Sequence, residues 1–326
     1  MNRFYLIAAA TLLVVAADAK TKFDYSVMMV PEEASMYFEK ITDDADCVCS
    51  RDLVRFNARS WWAGPQIALS PDGSKIAYIT DRNGMQNIMV KSSAKGGAST
   101  QRTSRVHVKD VTWSSDGTTL CFTEYRSGHH GIYLTNADQG SIVRQINNGN
   151  DNDYSGIIVD GGKTVIFTRD DGRRNYGLWA YDFDTHIFSN FSRGMSAIPV
   201  PGQKGTLYCT RMTNKSEGEI WRINYERDIE ELILGQPGAS YSTPQLSPDG
   251  QWLLCTGSSI SENGKIRNTD IYVIRTDGTR LTQLTYHPGN DLSAIWSPDG
   301  HSIYFLSQRG SADRVYNVWK MSFNIY

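Results

Sequence analysis

A four-residue turn motif recurs along this chain at a nearly constant interval, and this repeat limits the folds that the chain can adopt. Ser-Pro-Asp-Gly occurs intact three times and in weaker form twice, and its aspartates are Asp72, Asp116, Asp160, Asp249 and Asp299. The intervals between them are 44, 44, 89 and 50 residues, and the interval of 89 is close to two repeats. A degenerate sixth copy lies at residues 201–210, in the middle of that gap. Six repeats of this length are typical of the blades of a β-propeller.

Each repeat has the turn and strand chemistry of one propeller blade. Serine, proline and glycine occupy the first, second and last positions that a type I turn favours. The strand after the turn is apolar on both faces, as in Ile-Tyr-Phe-Leu at residues 303–306, so it is expected to be buried between two sheets. The third strand carries an aromatic residue at its second position in five repeats, namely Tyr133, Trp179, Trp221, Tyr272 and Trp319. With a more polar fourth strand, the sequence predicts an all-β fold, a six-bladed β-propeller of four-stranded antiparallel blades.

The two ends of the propeller are predicted to meet in the last blade. The sixth repeat ends at its third strand, so its outer strand has to come from elsewhere in the chain. Residues 52–57, Asp-Leu-Val-Arg-Phe-Asn, have the pattern of a fourth strand and are predicted to complete that blade, which would cover an exposed edge. The propeller is then expected to span residues 51–326.

Residues 20–50 are predicted to form an acidic, partly helical extension. Pro31, Glu32 and Glu33 suit the start of a helix, since proline fits the first turn and acids favour the helix N-terminus. The extension could pack on a propeller face, plug the channel or contact a partner.

Residues 1–19 are predicted to be a secretory signal peptide that is cleaved after Ala19. Arg3 precedes an uncharged apolar run, and Ala17-Asp18-Ala19 places small residues where a signal peptidase reads them. The apolar run is about 14 residues, shorter than the roughly 18–20 that span a bilayer as a helix. We therefore expect a periplasmic or secreted protein with no transmembrane segment after signal removal.

Charge and cysteine content exclude several classes of protein. The formal net charge is −2, with 33 basic against 35 acidic residues, so neither nucleic acid nor an anionic membrane is indicated as a partner.

Five cysteines are too few for a disulfide scaffold. Cys121, Cys209 and Cys255 occupy matching strand positions and are predicted to be buried core residues. Cys47 and Cys49 could form a strained disulfide, half of a metal site or neither, and no further ligand lies nearby at zinc-like spacing.

The repeat resembles the WD-like repeat of TolB-type propellers. The resemblance rests on Leu246-Ser-Pro-Asp-Gly250 together with residues 271–285, and on Ile295-Trp-Ser-Pro-Asp-Gly300. It implies a periplasmic six-bladed propeller that binds partner proteins through its mouth. TolB proteins also carry a large N-terminal α/β domain, for which residues 20–50 are too short, so we expect a TolB-like propeller without that domain.

The sequence thus favours an exported, non-catalytic binding protein, expected to be a monomer, that holds an envelope protein, a peptide or a glycan. Prolyl-oligopeptidase-like peptidases also have similar propellers, but their G-x-S-x-G nucleophile elbow does not occur in this sequence. Oligogalacturonate lyases resemble the same repeat family and use a propeller with a histidine-rich metal site. A metal-assisted polysaccharide lyase or hydrolase is therefore the alternative. The six histidines form no clear ligand set, and we expect no cofactor and no metal.

Binding residues are expected at the propeller mouth, where the loops between strands two and three and the loops between blades open on one face. Five of the six two-to-three loops carry an arginine: Arg82, Arg126, Arg169, Arg211 and Arg309. This ring could capture carboxylates. Alternatively, each arginine could pair with an acid of a neighbouring blade, for which the candidates are Asp81, Asp110, Asp170 and Asp291.

Other mouth candidates come from segments that depart from the repeat. Trp61 and Trp62 could stack on a sugar or a peptide, or could seal the joined chain ends. The segment Asn-Asp-Asn-Asp-Tyr at residues 150–154 offers two carboxylates and an aromatic ring but lacks a full calcium loop. His129 and His130, at a loop tip, are expected to be solvated. The predicted ligand-binding residues are Trp61, Trp62, Arg82, His107, Asp110, Arg126, Asp151, Asp153, Tyr154 and Arg309.

Overall fold

The computed structural model describes residues 26–43, 64–81, 84–104, 106–140, 144–146, 151–170, 176–215, 217–260, 266–311 and 315–323. Within these ranges the chain forms six antiparallel sheets of four strands each. Blade 1 contains β2 (Ile67–Leu69), β3 (Lys75–Thr80), β4 (Asn87–Ser92) and β5 (Thr100–Gln101). Blade 2 contains β6 (Val108–Trp113), β7 (Thr119–Arg126), β8 (His129–Asn136) and β9 (Arg144–Gln145). Blade 3 contains β10 (Asn152–Val159), β11 (Thr164–Asp170), β12 (Tyr176–Asp182) and β13 (Phe188–Arg193).

The second half of the chain repeats this plan. Blade 4 contains β14 (Met195–Pro199), β15 (Thr206–Met212), β16 (Gly218–Asn224) and β17 (Ile229–Leu234). Blade 5 contains β18 (Ala239–Leu246), β19 (Trp252–Ile260), β20 (Ile266–Arg275) and β21 (Thr282–Gln283). Blade 6 contains β22 (Asp291–Trp296), β23 (Ser302–Ser307) and β24 (Asn317–Ser322), with β1 (Phe38–Lys40) as its outer strand. Short 3-10 helices are formed by Pro31–Glu33 and Asp160–Gly162.

The six blades close into a ring around an axis lined by their first strands. Each first strand contacts the first strand of the next blade, and β22 of the last blade contacts β2 of the first. The second strands lie at the core, where Tyr78, Phe122, Phe167 and Phe305 are fully buried. This arrangement confirms the predicted all-β, six-bladed propeller, because strands that are apolar on both faces pack between neighbouring sheets.

The strand that closes the ring is not the one predicted. Phe38–Lys40 pairs antiparallel with β24, and Phe38 lies opposite Met321. Residues 52–57 lie outside the described residues, and the outer position of blade 6 is already occupied. Packing favours residues 38–40 as the outer strand of blade 6, since the Phe38 ring makes an edge contact with the Phe305 ring at 6.2 Å between centroids. The propeller sheet therefore includes residues that precede the predicted boundary at 51.

The segment around β1, residues 27–43, also ties the last blade to the first. We call it the N-terminal strap. Ile41 N donates to Val318 O of blade 6 (2.8 Å), and Ile41 O accepts from the buried Lys91 Nζ of blade 1 (2.8 Å). Of the three possibilities for the extension, the strap takes the first, because it packs on blade 6. Its predicted helix is limited to the 3-10 turn at Pro31–Glu33.

The repeated turns owe their shape to a serine and an aspartate. Ser70 Oγ donates to Asp72 Oδ1 (2.5 Å) and accepts from Lys75 N (3.0 Å), and Gly73 adopts a φ of 72°. The bond from Ser70, together with those that Ser74 N (3.0 Å) and Ser74 Oγ (2.8 Å) donate to the same carboxylate, lowers the pKa of Asp72 to about 2. The same serine-to-aspartate bond recurs from Ser114, Ser247 and Ser297. Because these turns share one geometry, the same motif recurs at each of them.

Threonines at the ends of the second strands join consecutive blades. Thr168 Oγ1 accepts from Ser196 N of the next blade at 3.0 Å, and Thr210 Oγ1 accepts from Thr243 N at 3.2 Å. Ser196 and Thr243 lie at bulges of the inner strands, with φ of 50° and 53°. The bulge turns an inner-strand N–H toward the neighbouring blade, where the hydroxyl satisfies it.

The matching cysteines are core residues, as predicted. Cys121, Cys209 and Cys255 are free and buried, and burial raises the pKa of each thiol well above its ordinary value. Cys47, Cys49 and the predicted signal peptide lie outside the described residues. In the described ranges, no helix has the length and apolarity to cross a membrane.

Candidate functional site

The predicted mouth residues fall into three groups in the structure. Trp61, Trp62 and Arg82 lie outside the described residues. Arg309 belongs to blade 6. The remaining six lie in, or next to, strands β6, β7 and β10 of blades 2 and 3: His107, Asp110, Arg126, Asp151, Asp153 and Tyr154.

Arg309 is a buried structural residue rather than a ligand-binding one. Its Nη1 and Nη2 donate to the two carboxylate oxygens of Glu33, each at 3.0 Å, and Nη2 also donates to Asp291 Oδ2 at 2.7 Å. The guanidinium lies 4.3 Å from the centroid of the Phe38 ring. Arg309, Glu33 and Asp291 are all fully buried. The strap thus covers this arginine, and the expectation that Arg309 contacts a ligand is corrected.

Asp270 lies in the same buried region of blades 5 and 6. Its side chain is almost fully buried, and its two carboxylate oxygens accept from Asn268 Nδ2 at 3.3 and 3.5 Å. Burial, reinforced by the charges of Asp291 and Glu33, raises the pKa of Asp270 to about 8. At neutral pH this carboxyl is therefore predominantly protonated.

Asp110 is also structural, because it is fully buried at the junction of blades 1, 2 and 3. Its oxygens accept from Thr123 Oγ1 (2.8 Å), Thr123 N (3.0 Å), Ser155 N (3.1 Å) and Gly64 N (3.3 Å). Burial raises the pKa of this carboxyl, although the four hydrogen bonds oppose that shift. Asp110 therefore fixes the position of the Ser155 backbone beside the mouth and offers no free oxygen for a ligand.

Arg169 is held by two aspartates of its own blade. Its Nε and Nη2 donate to the two oxygens of the fully buried Asp153 at 2.7 and 2.9 Å, and Asp151 lies 3.2 Å from Nη1. The guanidinium also lies 4.6 Å from the Trp179 ring centroid. Arg211 similarly pairs with Glu230 of blade 4, at 2.5 Å. Arg169 and Arg211 are thus paired with acids of their own blades, whereas the structural alternative expected acids of a neighbouring blade.

A stack of three aromatic rings, exposed only at its Tyr125 end, spans blades 2 and 3. The His130 ring lies between Tyr125 and Tyr154, with centroid distances of 4.9 and 4.6 Å. Tyr154 Oη lies 2.9 Å from His130 Nδ1, and Asn152 Oδ1 accepts from His130 N at 3.0 Å. Desolvation lowers the pKa of His130 to about 4, so the imidazole is neutral at pH 7. Tyr125 is 43% exposed and presents the open side of the stack to solvent.

Arg126 lies beside this stack on the next residue of β7. Its side chain is 55% exposed, and its Nε donates to Glu124 Oε1 at 2.8 Å. Within the described chain, no acceptor bonds its two terminal nitrogens. Glu124 Oε2 is buried without a hydrogen-bond partner, and desolvation raises the pKa of Glu124. Arg126 is thus the described loop arginine that keeps donors for an incoming acceptor.

The sequence prediction missed Tyr125, His130, Asn152 and Glu124 as members of this site. The signal that could have located Tyr125 and His130 is the Ser127-Gly128 turn, which joins the two eight-residue strands β7 and β8. In this register Tyr125 pairs with His130 and Arg126 with His129. Directly opposed residues of an antiparallel pair share a face. The tip predicted to be a solvated loop is therefore an extended hairpin.

The described histidines are engaged in separate contacts. His287 Nε2 lies 3.1 Å from Val27 O, and its Nδ1 accepts from Gly289 N at 3.0 Å. His186 Nδ1 lies 2.8 Å from Tyr181 Oη. Over the described ranges, no three histidine, cysteine or acidic side chains are grouped closely enough to hold a metal ion.

Comparison with known proteins supports the same architecture. Residues 215–324 match the family model of the TolB beta propeller domain. TolB from Acinetobacter baumannii is 20% identical with a TM-score of 0.58, over 72% of this chain and 57% of that protein. The chain thus spans little more than half the length of that TolB.

Two further solved structures have a similar fold. A TolB-type protein from Agrobacterium tumefaciens is 16% identical with a TM-score of 0.61, over 80% of this chain and 90% of that one. Oligogalacturonate lyase from Vibrio parahaemolyticus is 10% identical with a TM-score of 0.57, over 89% of this chain and 97% of that one. At these identities the likeness shows the fold alone. The chain is therefore a six-bladed β-propeller, and its residues 215–324 match the TolB beta propeller domain.

Proposed function

We propose that this protein is an exported, non-catalytic binding protein whose mouth holds an envelope protein, a peptide or a glycan. The observation that carries the proposal is the stack of Tyr125, His130 and Tyr154, open to solvent at its Tyr125 end, beside the half-exposed Arg126. Aromatic rings with polar edges and arginine are the residue types that contribute most to binding interfaces. The likeness to TolB proteins is consistent with this function, and the signal-like start of the sequence supports a periplasmic or secreted location.

The site is suited to recognition because its supporting residues are rigid. Asp110 fixes the Ser155 backbone, and Asp153 holds Arg169, so little side-chain entropy remains to be lost below the aromatic stack. The neutral imidazole of His130 presents a flat, uncharged surface. The free guanidinium nitrogens of Arg126 would hydrogen-bond a carboxylate or a carbonyl of the ligand.

We propose binding rather than catalysis because the chemical groups of the mouth are occupied by structural contacts. His130 bonds to Tyr154 and Asn152, and Asp153 is neutralised by Arg169. A metal-assisted lyase needs several such groups directed at one point. Stoichiometric manganese, calcium or zinc in the purified protein would contradict the proposal.

The test is a comparative pull-down from envelope extract with the exported protein as bait. Wild type, Tyr125→Ala and Arg126→Ala are compared with the control Tyr37→Ala, which removes a tyrosine that is 65% exposed on the strap. We expect the control to capture the same partner as wild type and each mouth variant to bind it at least about tenfold more weakly. Equal capture by all four proteins would exclude this face as the binding site.

A further inference from the structure

A second candidate site lies on the side of the propeller, at the outer strands of blades 3 and 4. A groove of about 320 Å³ is bounded by the outer strands of blades 3 and 4 and by the turn between β16 and β17. The outer strands β13 and β17 have six residues each, whereas those of blades 1, 2 and 5 have two. These longer strands build the walls of the groove.

One wall of the groove is aromatic. Phe191 of β13 and Tyr225, after β16, have ring centroids 4.7 Å apart, so the pair bridges the two blades. Tyr225 is 41% exposed, and the adjacent Ile229 is 53% exposed. A flat apolar surface is thus open to solvent inside a concave site.

The rest of the lining is polar and carries both signs of charge. Arg193 and Asp228 line the groove, and neither forms an ion pair within the described residues. Asn190 uses its Nδ2 in a long bond to Leu178 O (3.4 Å), which leaves the amide oxygen without a bond in the described chain. Arg193, Asp228 and Asn190 therefore offer polar groups beside the aromatic wall, whereas Glu230, the second lining carboxylate, is paired with Arg211 at 2.5 Å.

The turn that carries Tyr225 and Asp228 is held in place. Asn224 Oδ1 accepts from Glu226 N at 3.1 Å and from Arg227 N at 3.0 Å. Its Nδ2 donates to Thr206 Oγ1 at 2.9 Å and to Lys204 O at 3.2 Å. Asp228 has a φ of 54°, a conformation that aspartate tolerates better than most residues. Because these bonds fix the turn, the groove is preformed for a ligand.

We propose that this lateral groove binds a saccharide. A sugar ring has an apolar C–H face, which suits the Phe191 and Tyr225 wall, and a rim of hydroxyls that both donate and accept hydrogen bonds. Arg193 can donate to those hydroxyls, and Asp228 and Asn190 can accept from them. Arg193 balances the charge of Asp228, and Arg211 balances that of Glu230, so the groove disfavours a strongly charged ligand. A volume of about 320 Å³ is at the lower end of small-molecule sites, which fits a short glycan segment better than a protein domain.

The test is saturation-transfer-difference NMR of the full-length exported protein with maltotriose, cellotriose and chitotriose. We expect transfer to ring C–H protons of at least one trisaccharide. Tyr225→Ala and Arg193→Ala are each expected to weaken its binding about tenfold, whereas Tyr225→Phe keeps the ring and binds like wild type. Tyr37→Ala is the matched control on a distant surface. Thermal unfolding of every variant verifies that it is folded.

This proposal stands independently of the mouth site. The variants Tyr125→Ala and Arg126→Ala should leave the saturation transfer unchanged. Transfer that these two variants abolish would place the sugar at the mouth and overturn the lateral site. Absence of transfer from all three sugars, or transfer that persists in folded Tyr225→Ala and Arg193→Ala proteins, would also overturn it.

Discussion

The buried ion cluster of Arg309, Glu33 and Asp291 permits a graded test of how the strap closes the ring. Arg309 bridges two carboxylates that are both fully buried, one from the strap and one from β22. Replacing Arg309 with leucine leaves two buried carboxylates without their cation. Replacing Glu33 with alanine leaves the Arg309 to Asp291 pair intact, with the Nη1 of Arg309 and the N–H of Tyr286 deprived of their acceptor.

These differences set the expected order of destabilisation. Removing one partner of a buried ion pair costs about 3–5 kcal/mol, so Arg309→Leu is expected to lower the free energy of unfolding by about 5 kcal/mol. Glu33→Ala deprives the buried Arg309 Nη1 and the part-buried N–H of Tyr286 of their acceptor. A buried donor without its acceptor costs about 1–3 kcal/mol, so we expect a loss of about 3 kcal/mol for the two. The control is Arg222→Leu, because Arg222 and Glu231 are 3.6 Å apart and their side chains are 40% and 54% exposed. An exposed pair of this kind contributes less than about 1 kcal/mol.

Urea unfolding followed by tryptophan fluorescence measures all three variants. The slope of the free energy against urea should stay constant, so that midpoints report stability. If Arg309→Leu fails to fold, Glu33→Ala still tests the cluster. The reasoning is refuted if Arg309→Leu and Glu33→Ala destabilise no more than Arg222→Leu does, since the strap would then make no net contribution through these charges.

Two further predictions concern protonation. Asp270 has a folded pKa of about 8 and an ordinary value of 3.8, so the folded state keeps a proton that the unfolded state loses between these values, and stability falls as pH rises. The free energy of unfolding of Asp270→Asn should therefore equal that of wild type near pH 4 and exceed it increasingly toward pH 8, by up to about 1.4 kcal/mol per pH unit. Urea unfolding at a series of pH values measures this difference. A constant difference between the two proteins across this range would contradict the prediction. His130 should titrate with a midpoint near 4 in NMR spectra of its ring protons, because desolvation disfavours the imidazolium, and a midpoint above 6 would contradict the stacked, neutral imidazole.

Much of the fold could be predicted from the sequence because its signals are local. The Ser-Pro-Asp-Gly turn is held by bonds between residues at most five apart, such as Ser70 with Asp72 and Lys75. The apolar second strands have to be buried wherever they lie, so their repetition indicates stacked sheets. A turn that is stabilised by neighbouring residues can be predicted from the sequence without knowledge of the tertiary structure.

The closing strand could not be chosen in the same way. Residues 38–40 form only a short strand, and their partners lie about 280 residues further along the chain. What selects them is the contact of Phe38 with Phe305 and the burial of Glu33 against Arg309, neither of which leaves a local pattern. Residues 52–57 show a more regular strand pattern, which led to the wrong prediction.

In the candidate site, too, some features can be predicted from the repeat and others depend on tertiary packing. The repeat in the sequence is enough to predict the six blades, the positions of the turns and the arginine of the two-to-three loops. It does not predict that Arg309 is fully buried between two carboxylates while Arg126 is half exposed beside Tyr125, because packing between elements sets that difference. The physical reason is that a charge is available to a ligand only where neighbouring elements neither desolvate nor neutralise it. Those neighbours are set by the closure of the ring and not by the repeat.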